Sequence, residues 1–111
     1  MIKLSEFIPI SGVYTITNDV TGKIYVGQSY NIHLRWHTHL ATIITGTHTN
    51  ATLMQDVIKY GADNFSLQII EVCEPDKVTL LALEAVHLHA LRGKGNILYN
   101  ATPERKPFYK I

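Results

Sequence analysis

The sequence predicts one small α/β domain. Three observations lead there. The chain has 111 residues, enough for one compact core and little more. Its apolar residues alternate in some short stretches and recur at helical spacing in others. Those stretches follow one another as strand, strand, helix, helix, strand, helix, separated by turn residues. Apolar residues make up 46% and charged residues 17%, the balance of a folded globular chain and not of a disordered one.

Residues 1–11 read as a lead-in, with Pro9 discouraging regular structure before Gly12. Val13 to Thr17 is rich in β-branched and aromatic residues and predicts a strand. Asn18 to Gly22 carries turn chemistry, and Lys23 to Gly27 predicts the returning strand. Parity then imposes a condition on Tyr14 and Tyr25. Opposed positions in an antiparallel pair have a constant sum, and side chains alternate faces. The two tyrosines share a face only if that sum is odd, for example with Thr17 opposite Gly22.

Ser29 or Asn31 can cap a helix over 31–45, whose apolar stripe is Ile32, Trp36, Leu40, Ile43 and Ile44. Arg35 and His39 share a neighbouring face. A second, shorter helix carries Leu53, Met54, Val57 and Ile58 and ends at Gly61. Phe65, Leu67 and Ile69 alternate with polar residues and predict a third strand, to about Val72. From Pro75-Asp76 to about Leu91 a third helix is apolar almost all round, which predicts burial by other elements. Tyr99-Asn100 falls in a short extended piece, and Arg105, Lys106 and Lys110 form a basic tail.

No apolar run approaches the roughly 20 residues that span a bilayer, and the N-terminus lacks a signal-peptide pattern. Cys73 has no cysteine to pair with and is expected as a small buried thiol. These features point to the cytoplasm. The net charge is only +1, modest for a chain that must hold a polyanion unaided. Its distribution is more telling. Between Val20 and Gln55 there is no Asp or Glu, while Lys23, Arg35 and four histidines are present.

Several side chains have both a bland and a chemical reading. Glu84 is the only acid of the third helix after Asp76; it either lies on a wet edge or serves as ligand to a hard divalent cation. Arg35 is either a solvated helix residue or a fork of donors suited to a phosphate in its transition state. Tyr14 and Tyr25 either pack in strands or position water and protons. Zinc is disfavoured, because His37/His39 and His87/His89 are two apart and diverge by about 200° on a helix.

Taken together, Gly12-Val13-Tyr14, Tyr25-Val26-Gly27, Arg35-Trp36 with His39, Glu84 and Tyr99-Asn100 resemble the GIY-YIG nuclease superfamily, over about residues 10–101. The pattern is most similar to the catalytic domain of phage- and intron-encoded homing endonucleases, including His48 before the second helix. Val13 stands where the motif has Ile. The resemblance implies a three-stranded antiparallel sheet flanked by helices, and Mg²⁺-dependent hydrolysis of DNA phosphodiesters, with Mn²⁺ as a substitute. It also implies roles. Tyr14 and Tyr25 would line the site and handle the attacking water, Arg35 would stabilise the pentacoordinate phosphate, and His39 would assist proton transfer. Glu84 would hold the metal, Asn100 would brace the site by hydrogen bonds, and Gly27, Lys23 and His48 would lie at the substrate.

One domain over 1–111 is therefore expected, in a bacterial host cell if the chain is phage-encoded. Homing enzymes join this domain to a DNA-targeting one, so a homodimer, a further domain or a partner protein is the expected source of targeting. The competing reading is a non-catalytic nucleic-acid-binding or regulatory module on the same scaffold.

Overall fold

The computed structural model describes residues 9–46 and 50–100, the side chain of Ile44 excepted. The strands are β1 (Gly12–Asn18), β2 (Ile24–Ser29) and β3 (Phe65–Val72). The helices are α1 (Ile32–Ile44), α2 (Ala51–Tyr60) and α3 (Lys77–Gly93), with a 3₁₀ turn at Ala62–Asn64. The sheet is antiparallel in the order β2-β1-β3, so β1 occupies the centre. Asn31, Asn50 and Asp76 cap the three helices, each side chain accepting a backbone N–H three residues on. Of the two caps considered for α1, Asn31 takes the role, and the Ser29 hydroxyl accepts from its N–H. Among the described residues no helix is long and apolar enough to cross a membrane.

The hairpin register places Thr17 opposite Ile24 and Tyr14 opposite Gly27. The sum is odd, so both tyrosines lie on one face, although the turn is two residues longer than in the example with Gly22. Asn18 explains the longer turn. It is fully buried, its Oδ1 accepts from Val20 N–H at 2.9 Å, and its carbonyl accepts from Gly22 N–H at 2.7 Å. Gly22 adopts a positive φ of 80° there.

Tyr14 and Ile16 share the main core with Ile32, Leu53, Val57, Phe65 and Tyr99, under α1 and α2. Val13 and Val26, alternating with the tyrosines, are fully buried on the opposite face, as is Leu80 of α3. A β-bulge in β3 sets Glu71 opposite Val13 and Ile69 opposite Tyr14. Glu71 thereby meets His87 of α3 at 2.7 Å. Gly12 sits where a Cβ would collide with the Glu71 carbonyl oxygen, so β1 and β3 approach closely there.

Two expectations need correction. In α3 only Leu80 is buried, while Val78, Leu81 and Val86 are 75%, 47% and 60% exposed. The helix packs against β2 and β1 on one side only, and three strands offer no second layer to cover its outer side. Cys73 is partly exposed, because β3 has ended at Val72 and the chain is leaving the core.

The outer edge of β2 is closed by the extended segment 97–100. Ile24 N–H donates to Ile97 O at 3.1 Å, and Tyr99 N–H donates to Ile24 O at 2.8 Å. Where the backbone pairing stops, the Asn100 side chain continues it: Oδ1 accepts from Val26 N–H at 2.9 Å and Nδ2 donates to Val26 O at 2.8 Å.

Asn100→Ala leaves both groups of Val26 without this partner and is expected to destabilise the domain by about 1–3 kcal/mol, the cost of an unmade buried hydrogen bond. Gly27→Ala forces a methyl into the Tyr14 ring and is expected to cost about 1–3 kcal/mol through overpacking. Thermal unfolding followed by circular dichroism checks both; an unchanged midpoint in either variant contradicts the account of that position.

Candidate active site

An open cleft of about 350 Å³ runs along β2 and is lined by Tyr14, Tyr25, Gly27, Gln28, Ser29, Tyr30, Arg35, Lys77 and Glu84. Four elements meet in it. β1 supplies Tyr14, β2 supplies Tyr25 and Gly27, α1 supplies Arg35, and α3 supplies Lys77 and Glu84. Lys77 and Glu84 are seven apart, two helical turns, which sets both on one stripe of α3 with Leu80 between them. Glu84 therefore faces the cleft and does not lie on the helix's wet outer side.

Tyr14 reaches the cleft because its opposite neighbour has no side chain. Its ring lies over Gly27, where a Cβ would overlap the ring and the hydroxyl. Tyr14 is 1% exposed, and its hydroxyl hydrogen-bonds His39 Nε2 at 2.8 Å. His39 is fully buried behind the tyrosines, and its ring meets both edge-on, with centroids 5.9 Å from Tyr14 and 5.4 Å from Tyr25. The imidazole thus backs the cleft without lining it.

The electrostatics follow from this packing. Burial pushes the Tyr14 hydroxyl well above the ordinary phenol range; neighbouring Tyr25 adds to the rise, and Arg35 opposes it. Burial also raises Tyr25, again against Arg35, with Glu84 adding to the rise. The Glu84 carboxyl is raised by desolvation and partly restored by the Lys77 ammonium. Among its described lining residues the cleft therefore holds two phenols, Tyr14 and Tyr25, whose neutral forms burial favours, together with two basic side chains, Arg35 and Lys77, and one carboxylate that is costly to ionise.

Among the described residues Glu84 is the single carboxylate lining the cleft. Among the described residues no group of three or more His, Cys, Asp or Glu gathers as a metal cage. A hard ion that keeps most of its water needs fewer protein ligands, and Mg²⁺ is commonly held by one or two carboxylates with substrate phosphates completing its shell. One carboxylate in an open polar cleft fits such an ion.

Other expected site residues are elsewhere. Asn100 binds the Val26 backbone, between Tyr25 and Gly27, and supports the cleft wall from outside. Lys23 does not line the cleft; its ammonium sits 4.7 Å above the Tyr99 ring. His48 lies outside the described residues. Sequence reasoning missed Lys77, Gln28, Ser29 and Tyr30 at the cleft, and also a polar network beneath β2. There Tyr99 donates to Asp56 Oδ2 at 2.6 Å and accepts from Asn18 Nδ2 at 3.2 Å. The helical spacing of Lys77 from Glu84 was a usable signal. For Asn18 and Asp56 there was none, since each has ordinary local chemistry.

Comparison with known proteins accords with this geometry. Residues 10–95 match the family model of the GIY-YIG catalytic domain. Intron-associated endonuclease 1 of Enterobacteria phage T4 is 29% identical over 86 residues, which are 78% of this chain and 35% of that protein. The chain thus spans about a third of that relative. The catalytic domain of the homing endonuclease I-TevI superposes with a TM-score of 0.74 at 28% identity, covering 83% of this chain and 98% of that one. A glutamate-to-alanine mutant of the I-TevI catalytic domain gives a TM-score of 0.74 at 29% identity, covering 84% and 97%. The chain belongs to the GIY-YIG family, with the fold of the I-TevI catalytic domain.

Proposed function

We propose that the domain is a Mg²⁺-dependent DNA endonuclease of the homing or phage-encoded type, hydrolysing phosphodiester bonds with a single metal at Glu84. The observation that carries this is the meeting of Tyr14, Tyr25, Arg35 and Glu84, from four separate elements, in one cleft. Family membership and the likeness to a phage endonuclease support it. Sequence targeting by a further domain, a partner protein or a second copy belongs to the same proposal.

Arg35 meets the scissile phosphate and stabilises the charge growing on its oxygens, a task suited to a guanidinium in a partly desolvated site. Bound at Glu84, Mg²⁺ or Mn²⁺ would supply charge neutralisation at the phosphate oxygens. Both tyrosines keep their protons at neutral pH, since burial raises both hydroxyls. The 2.8 Å contact supports a proton relay. The attacking water gives its proton to the Tyr14 oxygen as Tyr14 gives its own to His39 Nε2, with His39 in the Nδ1–H tautomer. The new P–O bond forms from the water oxygen, and the bond to the leaving sugar oxygen breaks as that oxygen takes a proton from solvent in the open cleft. Tyr25 orients the water, and Asn100 holds the strand between Tyr25 and Gly27 in place.

Arg35→Ala and Glu84→Gln are each expected to lower nicking of supercoiled plasmid by roughly two to three orders of magnitude, the loss of about 3–4 kcal/mol from one electrostatic contributor. EDTA should stop the reaction of the unaltered chain. Undiminished cleavage by both variants overturns the proposal. Intact plasmid under every metal condition, with duplex binding retained, favours the non-catalytic module.

Glu84→Gln carries a second prediction, with its sign set by the raised carboxyl. A folded-state pKa above the unfolded value means that ionised Glu84 opposes folding. That penalty is fully present above the folded pKa and vanishes below the unfolded one. In EDTA at neutral pH the variant should therefore melt higher than the parent, and the difference should shrink as pH falls through the carboxylate range. A lower midpoint at neutral pH contradicts this.

A further inference from the structure

Lys77 is a cleft residue to which the proposed reaction assigns no task. It opens the first turn of α3, directly after the Asp76 cap, and lines the same cleft as Arg35 and Glu84. A cation in a first helical turn opposes the helix macrodipole, so helix stability does not favour lysine there. Asp76 serves as the helix cap, its Oδ2 accepting from both the N–H and the hydroxyl of Thr79, at 2.9 and 2.7 Å. The charge of Lys77 is felt at Glu84, whose ionised form it favours.

The cleft is thus lined by two basic side chains from different helices, Arg35 on α1 and Lys77 on α3. A single phosphate occupied by Arg35 and a metal at Glu84 leaves Lys77 in excess. A nucleic-acid strand lying along β2 brings further phosphates on either side of the first, each with a full negative charge. A compact ammonium on a flexible stem suits such a contact, which needs charge without a fixed geometry.

We propose that Lys77 binds a backbone phosphate flanking the scissile one and so positions the strand in the cleft. This rests on the nuclease reading above. Lys77 is a positioning residue here and takes no part in bond making or breaking.

The test is binding of a short fluorescein-labelled duplex of mixed sequence, in EDTA, followed by anisotropy across a salt series. Lys77→Gln should weaken binding by about three- to fivefold, the scale of one exposed ion pair. It should also lower the slope of log K against log salt by about one, as the loss of one phosphate contact requires. Lys77→Arg should restore both. In plasmid nicking at saturating Mg²⁺, Lys77→Gln should raise KM by a similar factor with kcat within about twofold, the pattern of lost uniform binding. An unchanged slope overturns the proposal, as does an effect confined to the Mg²⁺ concentration that half-saturates cleavage, which would make Lys77 a counter-charge for Glu84 alone. If the unaltered chain binds with the Lys77-dependent slope but never cleaves, the nuclease reading fails and the phosphate contact stands.

Discussion

The site depends on one steric fact: Tyr14 stands opposite a residue without a side chain. In a three-stranded sheet the central strand is crowded on both faces, and a tyrosine there must lie flat over its neighbour. Gly27 provides that room. With the ring lying across β2, the hydroxyl reaches His39 on α1 while the cleft stays open beside it. Any larger residue at 27 would tilt the ring and break the geometry on both sides. The hairpin register, the glycine and the buried imidazole are in this sense a single constraint.

The register also explains why the two tyrosines are neighbours without being directly opposed. Tyr25 faces Ile16, one step along the diagonal from Tyr14. Their hydroxyls then share a common surrounding, both feeling the charges of Arg35 and Glu84. Burial keeps both phenols protonated, and the cost of ionising Glu84 is kept down by Lys77.

Much of this was legible in the sequence, but unevenly. Alternation and helical spacing located all six main elements, because each buries one face. Parity stated the condition for the tyrosines without answering it, since the turn around Asn18 depends on a buried hydrogen-bond arrangement that no local pattern reveals. The convergence of Glu84 with Arg35 was carried by likeness to a family and not by spacing, for α3 could have packed on either face. The apolar surface of α3 misled for a related reason: composition gives a helix's taste for burial but not the area available to satisfy it. Lys23 and Lys77 were indistinguishable as charges, and only tertiary placement sends one to Tyr99 and the other to the cleft.

The segment at 97–100 has a consequence beyond bracing the cleft. An uncovered edge strand presents a row of unpaired amides on which another chain can grow by strand addition, the usual route to sheet-to-sheet aggregation. β2 carries the cleft along that very edge and cannot be guarded by bulky or charged side chains without obstructing it. Two backbone bonds and one carboxamide close it instead. A carboxamide can imitate a peptide on both its donor and acceptor sides, so Asn100 extends the closure begun by Ile97 and Tyr99 and leaves the cleft side of the strand free.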